Sequence, residues 1–417
     1  MIPAAASSPR RVRTQVVALA VALAAAVLGA TASPSAGRVP RPDPEARAAI
    51  VIDARSGEPL FERRADRPRP IASATKLMTA LLLLERTRPS DVLTAARYDA
   101  APIESQIGLR AGERMRVRDL LSALLLESAN DAAVTVARNL SGSRAAFVRD
   151  MNRRARELGL RSTSYTNPIG LDSPRNRSSA RDLAKLATRL LRVPVFARTV
   201  AWPRARLRSG ARSRTVRNRN TLVGAYRFVT GVKTGHTLGA GYVLVGSGRA
   251  HGADVVSVVL GSPTEAARNA DSLAILRWGL DRFKRRRVVR AGAEVASRPI
   301  SGRGGARVAL GAPSGLVATV REGRPPALVV RAPRAIEGPL PAGRRVGAVE
   351  LRDGAHVLAS APLVTAAAVP GPKPLSWLTR PAVLGAGLTA LVLLAMVSTV
   401  VLLRRRRRGR RTTTNAP

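Results

Sequence analysis

Three short segments carry residue types that can perform acyl transfer without histidine. Ser73-Ala74-Thr75-Lys76 sets a hydroxyl and an amine three residues apart, on one face of a helix. A helix start there supplies free backbone N–H groups and a favourable dipole for an oxyanion. A serine beside an unpaired lysine is the minimum apparatus for a nucleophile activated by an amine base. Ser128-Ala129-Asn130 offers a hydroxyl and a side-chain amide on a turn, and Lys233-Thr234-Gly235 offers an ammonium, a hydroxyl and a glycine that permits close approach. Each segment alone has an ordinary reading: Lys76 as a solvated lysine, Asn130 as a helix cap, Lys233 as an edge-strand charge. Their joint order, with separations of 55 and 105 residues, and the placement of two of only five lysines argue for one site.

The elements around these segments read as follows. Ala49 to Asp53 and Pro59 to Glu62 form a hairpin around Ala54-Arg55-Ser56-Gly57. Residues 73–86, 117–127, 143–158 and 179–192 are helical by apolar periodicity. Tyr242 to Val245 and Asp254 to Leu260 are Val-rich strands separated by Gly246-Ser247-Gly248, and Ser262-Pro263-Thr264-Glu265 reads as a capping box opening a helix to about Phe283 with Trp278 buried. This order suggests a sheet closed by its two chain ends with a helical insertion. From about Arg285 to Val369, short alternating runs punctuated by Gly and Pro indicate a small all-β module.

The chain of 417 residues is too long for a single small module, and with 45% hydrophobic but 3% aromatic residues its core must be built from Ala, Val and Leu. The absence of Cys excludes disulfides, thiolate catalysis and Cys-ligated metals, and three scattered histidines, His236, His251 and His356, make no metal cluster. Lys+Arg number 70 against 27 acids, a net charge of +43, yet 65 of the bases are arginines. So lopsided a ratio, with the Ala richness, points to GC-rich codons rather than to nucleic acid, and the interleaved aromatics of a nucleic-acid surface are missing.

Two membrane signals frame the chain. Residues 1–36 carry Arg10, Arg11 and Arg13, then an uncharged run from Val16 to Ala32 ending in Ala30-Thr31-Ala32, the pattern of a secretory signal. Pro381 to Leu403 is a run of 23 uncharged residues, long enough at about 1.5 Å each to span a bilayer, followed by Arg404 to Arg408, Arg410 and Arg411 and preceded by Trp377. The positive-inside rule places the tail in the cytoplasm and the rest outside, where 60 bases against 27 acids give about +33 and favour anionic wall polymers and headgroups. No Leu-Pro-x-Thr-Gly sequence precedes the span, so membrane retention is expected over covalent wall attachment. The expected organisation is a signal peptide (1–36), a linker (37–47), a catalytic domain (48–284), a β-rich domain (285–369), a linker (370–380), a transmembrane helix (381–403) and a basic cytoplasmic tail (404–417).

With these motifs in place, the chain resembles the serine-type D-alanyl-D-alanine carboxypeptidases, the low-molecular-mass penicillin-binding proteins of the β-lactamase/transpeptidase-like superfamily. The resemblance runs from Ala48 to Phe283 and more loosely to Val369. It extends to Pro70-Ile71-Ala72, Asp131-Ala132-Ala133, Met151-Asn152, Asn167-Pro168-Ile169-Gly170-Leu171-Asp172, Asn218-Arg219-Asn220, Gly231-Val232, His236-Thr237 and Ala240-Gly241-Tyr242. It implies an α/β (α+β) fold: a β-lactamase-like antiparallel sheet flanked by helices, an α-helical subdomain with the active site between, and a β-rich module behind. It further implies Ser73 as nucleophile, Lys76 as its base, Ser128 as proton relay to the leaving D-alanine, and Asn130 as a ligand of the substrate's peptide group. Lys233 and Thr234 would hold the terminal carboxylate, Gly235 would leave room for the substrate, and the N–H groups of Ser73 and His236 would form the oxyanion hole. Lys76 can act as a base at neutral pH only if burial and Lys233 lower its pKa. No metal or organic cofactor is implied; the expected partners are peptidoglycan stem peptides, β-lactams as inhibitors and the cytoplasmic membrane.

The chain departs from the family at Ile169, where His is common, and at Arg175-Asn176-Arg177, where a His-Tyr or His-Ser pair is common, so peptide preference is placed in doubt. A class A β-lactamase needs a loop glutamate for deacylation, and between Asn130 and Leu186 the only Glu is Glu157, within a helix. A D,D-endopeptidase acting on cross-links and a non-catalytic wall-binding protein are the remaining alternatives.

Overall fold

The computed structural model describes residues 39–371 and 381–409. The expected signal segment, Trp377, Arg410 and Arg411 lie outside them. The chain divides into two units between Phe283 and Lys284.

The first unit is built on a five-stranded antiparallel sheet of β1 (Ala48–Asp53), β2 (Pro59–Arg63), β3 (Val229–Thr237), β4 (Gly241–Ala250) and β5 (Ala253–Ser262), in the order β2-β1-β5-β4-β3. The two chain ends of the unit therefore meet in one sheet. Every residue of β1 is buried, because helices cover both faces and the strand can be continuously apolar. Alternate residues serve different cores: Val51, Leu244 and Val259 pack with Ile275 and Leu276 of the C-terminal helix, while Ile50, Val245 and Val258 join the helical insertion. That insertion includes α1 (Lys76–Arg86), α2 (Asn130–Ser141), α3 (Ala180–Leu191) and α4 (Pro194–Val200). The C-terminal helix is α5 (Glu265–Asp281).

The structure corrects the local reading in five places. Gly246 and Gly248 do not separate two strands; they lie inside β4, and the turn falls at His251-Gly252. Both are crowded: a Cβ on Gly246 would sit 2.6 Å from Ser257 Oγ of β5 and 3.5 Å from Leu276 of α5, and one on Gly248 3.3 Å from Leu280 of α5. Lys233-Thr234-Gly235 lies within β3, a ladder strand that its glycines and lysine conceal. The cap of α5 is Thr264, whose side chain accepts from Ala267 N–H at 3.0 Å, while Ser262 ends β5. Trp278 is half-buried, edge-on to Phe61. Finally, α2 begins at Asn130, one residue after its cap Ala129, where a turn alone was expected.

The second unit contains a five-stranded antiparallel sheet of β6 (Glu294–Pro299), β7 (Arg307–Gly311), β8 (Ala327–Arg331), β9 (Arg345–Asp353) and β10 (His356–Thr365), ordered β6-β7-β10-β9-β8 around Leu310, Val349 and Leu363. It also contains one helix, Pro381–Gly409, within which Leu388–Arg405 is long and apolar enough to cross a membrane.

Candidate active site

Ser73 sits in a single 3-10 turn, Ala72–Thr75, that runs directly into α1. The chain enters this turn through Ala72 at φ +45°, a left-handed conformation that an L residue holds only where its surroundings impose it. Gly170 shows what imposes it: a Cβ there would lie 2.0 Å from the Ala72 carbonyl oxygen and 2.9 Å from Ser73 N. Loop 167–172 is thus pressed against the Ser73 turn. Asn167 Oδ1 organises that loop, accepting from the N–H groups of Ile169, Gly170 and Leu171 at 3.2, 2.6 and 3.2 Å. Asp172 ties it to the β3–β4 turn, accepting from Thr237 Oγ1 at 2.6 Å and Gly239 N at 2.9 Å.

Lys76 is fully buried, with Nζ 3.0 Å from Ser73 Oγ and donating to Ile169 O at 2.6 Å. Burial lowers its pKa well below the usual lysine value, and the nearby Lys233 charge lowers it further, against the opposing pull of Glu104 and Asp131. The departure at Ile169 is thereby explained in part: this position serves Lys76 through its carbonyl, which any side chain leaves in place. Asn176 is likewise a buried structural group, donating to Thr75 Oγ1 at 3.1 Å.

Strand β3 runs alongside Ser73. A Cβ on Gly235 would lie 2.9 Å from Ser73 N and 3.2 Å from Ile71 O, so the strand and the turn meet at van der Waals distance. Lys233 is buried, donates to Thr234 O at 2.8 Å, and has its pKa brought down to about 7 by burial and by Arg219 and Arg268, with Glu127 opposing. Thr234 is buried beside it, whereas the His236 imidazole is exposed and stacks on Tyr242 at 4.1 Å, leaving its main chain in the strand.

The third segment arrives through a π-helical turn, Ala123–Glu127, an irregularity frequent at functional sites. It ends at Ser128, buried at φ +65°. Arg219 clamps this turn, donating to Glu127 Oε1 at 2.6 Å. Asn130 follows as the first residue of α2.

Two groups that the motifs do not contain reach this region. Asn130 Nδ2 donates to Glu104 Oε2 at 2.6 Å, the same oxygen accepts from the Tyr98 hydroxyl, and Ala101 N donates to Oε1 at 3.2 Å. The segment bearing Glu104 is held over α2 by Asp131, which accepts from Ile107 N at 3.1 Å and Leu109 N at 2.9 Å, and by Asn130 N donating to Ser105 O at 2.7 Å. Burial raises the Glu104 pKa, but the hydrogen bonds of Tyr98 and Asn130 outweigh it and keep the carboxyl below its ordinary value. A lone Glu on an irregular segment carries no spacing signal, which is why only the fold reveals it.

Comparison with known proteins follows this geometry. The peptidase S11 family model, described as D-alanyl-D-alanine carboxypeptidase, matches residues 35–264. The D-alanyl-D-alanine carboxypeptidase DacF of Bacillus subtilis is 34% identical over 246 residues, 58% of this chain and 63% of that protein, so the chain spans just under two thirds of it. DacD of Salmonella typhimurium is 31% identical over 342 residues, 77% of this chain and 85% of that one. A D-alanyl-D-alanine endopeptidase of Pseudomonas aeruginosa is 33% identical over 265 residues, 62% and 85% of the two chains. Among solved structures, penicillin binding protein 5 from Haemophilus influenzae superimposes with a TM-score of 0.57 at 29% identity, covering 79% of this chain and 99% of that one.

Proposed function

The chain belongs to the D-alanyl-D-alanine carboxypeptidase family of serine hydrolases, and from that membership we propose that it removes the terminal D-alanine from peptidoglycan stem pentapeptides through an acyl-enzyme on Ser73. The observation that carries the reading is the buried Lys76 amine 3.0 Å from Ser73 Oγ. An amine kept neutral by burial takes the hydroxyl proton as Ser73 attacks the carbonyl of the penultimate D-alanine. The oxyanion that forms is met by the N–H of Ser73 and that of His236 on the neighbouring strand. Ser128 passes a proton to the departing D-alanine nitrogen, and water then hydrolyses the ester. Lys233 and Thr234 receive the substrate's terminal carboxylate, whose charge in turn favours protonated Lys233. Asn130 binds the peptide group with the amide hydrogen that Glu104 leaves free, and Glu104 acts as a positioning residue: a carboxylate accepts only, so it dictates which end of the Asn130 amide faces it. Penicillins, which mimic the acylating dipeptide, are trapped at Ser73.

In this reading the helix within 381–403 anchors the protein in the cytoplasmic membrane with the catalytic domain, residues 48–284, outside. The test is release of free D-alanine from a stem pentapeptide by the full chain, with Ser73→Ala as control. No release would overturn the assignment. The endopeptidase name of the Pseudomonas relative supports a second reading, cleavage of cross-linked dimers; a dimer hydrolysed faster than the pentapeptide would favour it.

A further inference from the structure

A surface hollow of the first unit, of about 630 Å³, is lined by none of the active-site residues. Five arginines, all exposed, line it: Arg118 from the helix Val117–Ser122, Arg198 from α4, Arg204 and Arg206 from the strand Arg204–Leu207, and Arg208 just beyond. Asp119 is the only acid among the lining residues, and its carboxylate is already engaged. Its Oδ2 accepts from Arg208 N at 3.1 Å, Ser209 N at 2.8 Å and Ser209 Oγ at 2.5 Å, and its closest guanidinium, Arg118, stands 4.0 Å away. Some arginines of this unit are held in ion pairs, Arg154 by Glu85 and Glu157, Arg181 by Glu62 and Asp66, and Arg214 by Glu113. In the cavity, Arg198, Arg204 and Arg208 have no ion pair among the described residues, and Arg206 donates only to the Ser213 hydroxyl at 2.9 Å.

Composition explains many arginines but not their convergence around one hollow with its only carboxylate spent. Like charges so gathered repel, and an anion placed among them converts that repulsion into binding. A guanidinium matches phosphate bidentately, and the volume falls within the range of about 300–1,000 Å³ typical of ligand sites. Trp202, 46% exposed at the rim, adds a flat apolar face for a ring carried by the ligand. We propose that this cavity is a binding site for a ligand bearing two or more phosphate groups. The source is either a soluble phosphate-containing polymer or a phospholipid headgroup, and the chemistry recognised is the same.

The test uses the full chain in nonionic detergent, titrated calorimetrically with tripolyphosphate at about 0.15 M salt, where exposed charges are screened beyond about 8 Å. The expected result is one site per chain, with quenching of Trp202 fluorescence that W202F removes. The triple exchange R198Q/R204Q/R208Q should weaken binding at least about tenfold. The control R110Q/R161Q/R192Q removes the same charge from exposed positions of the same unit outside the cavity and should change the affinity by less than about threefold. Equal weakening by both triples, or no stoichiometric binding, overturns the proposal. Doping the micelles with cardiolipin, whose headgroup carries two phosphates, separates the sources: loss of the tripolyphosphate heat assigns the site to the headgroup, and its persistence assigns it to a soluble polymer. Since binding is read directly, the outcome is independent of whether the protein releases D-alanine.

Discussion

Replacing Gly235 with alanine probes the convergence of strand and nucleophile most sharply. The new Cβ would lie 2.9 Å from Ser73 N, 3.0 Å from Ala72 Cβ and 3.2 Å from Ile71 O, whereas carbon contacts settle near 3.5–4.0 Å. None of the three neighbours can rotate away, because two are backbone atoms and the third is the Cβ of a residue held at φ +45° under loop 167–172. The strain must therefore move β3 away from the Ser73 turn by roughly half an ångström or more. That movement separates the Ser73 and His236 N–H groups, and losing one oxyanion donor costs about 10²–10³ in rate. Overpacking should cost about 1–3 kcal/mol of stability, leaving a folded protein in which to measure the effect. The assay is the second-order rate of acylation by a fluorescent penicillin, with thermal unfolding followed in parallel. Acylation within about threefold of the parent in a folded G235A protein would refute the oxyanion arrangement.

Other consequences are open to equally direct measurement. With Lys233 brought down to about 7 and needed as a cation, acylation by penicillin should fall as pH rises through that value; a rate flat to about pH 9 contradicts its role. Glu104→Gln removes a charge that favours protonated Lys76, so the acid limb of the pH–rate profile should move to lower pH. The same exchange should raise the peptide KM about tenfold, and an unmoved acid limb would reduce Glu104 to a structural role. Burial raises the Glu113 pKa, but hydrogen bonds from Arg214 and from the N–H groups of Arg110 and Ala211 bring it down to about 2. Its folded value is depressed, so its contribution is complete above about pH 4.5 and lost as pH falls toward 2. Glu113→Gln, which strands the buried Arg214, should cost about 3–5 kcal/mol in urea unfolding at neutral pH, and a loss below about 1 kcal/mol would contradict this.

Legibility in the sequence followed the physics of each element. The hairpin β1–β2 was legible from its turn, α1 and α3 from apolar periodicity and the last helix of the unit from its capping sequence, whereas α2 and α4 were not anticipated. Nor was strand β3, because its Lys and two Gly residues have low strand propensity. Gly246 and Gly248 read as a turn although they answer to close packing by α5, a contact between residues about 30 positions apart that no local window contains. The approach of Lys76 to Ser73, and of strand β3 to the Ser73 turn, was anticipated from residue type and spacing. Glu104, the Ile169 carbonyl and the arginine cavity were not, since each depends on segments that only the fold juxtaposes.

The central claim is that Ser73 is the hydroxyl deprotonated by Lys76. Mass spectrometry of the penicillin-treated full chain tests it most directly. A single adduct on the peptide containing Ser73, absent from Ser73→Ala and lowered about 10²–10⁴-fold in formation rate by Lys76→Ala, is the predicted result. An adduct on another residue, or one that persists in Ser73→Ala, would contradict it.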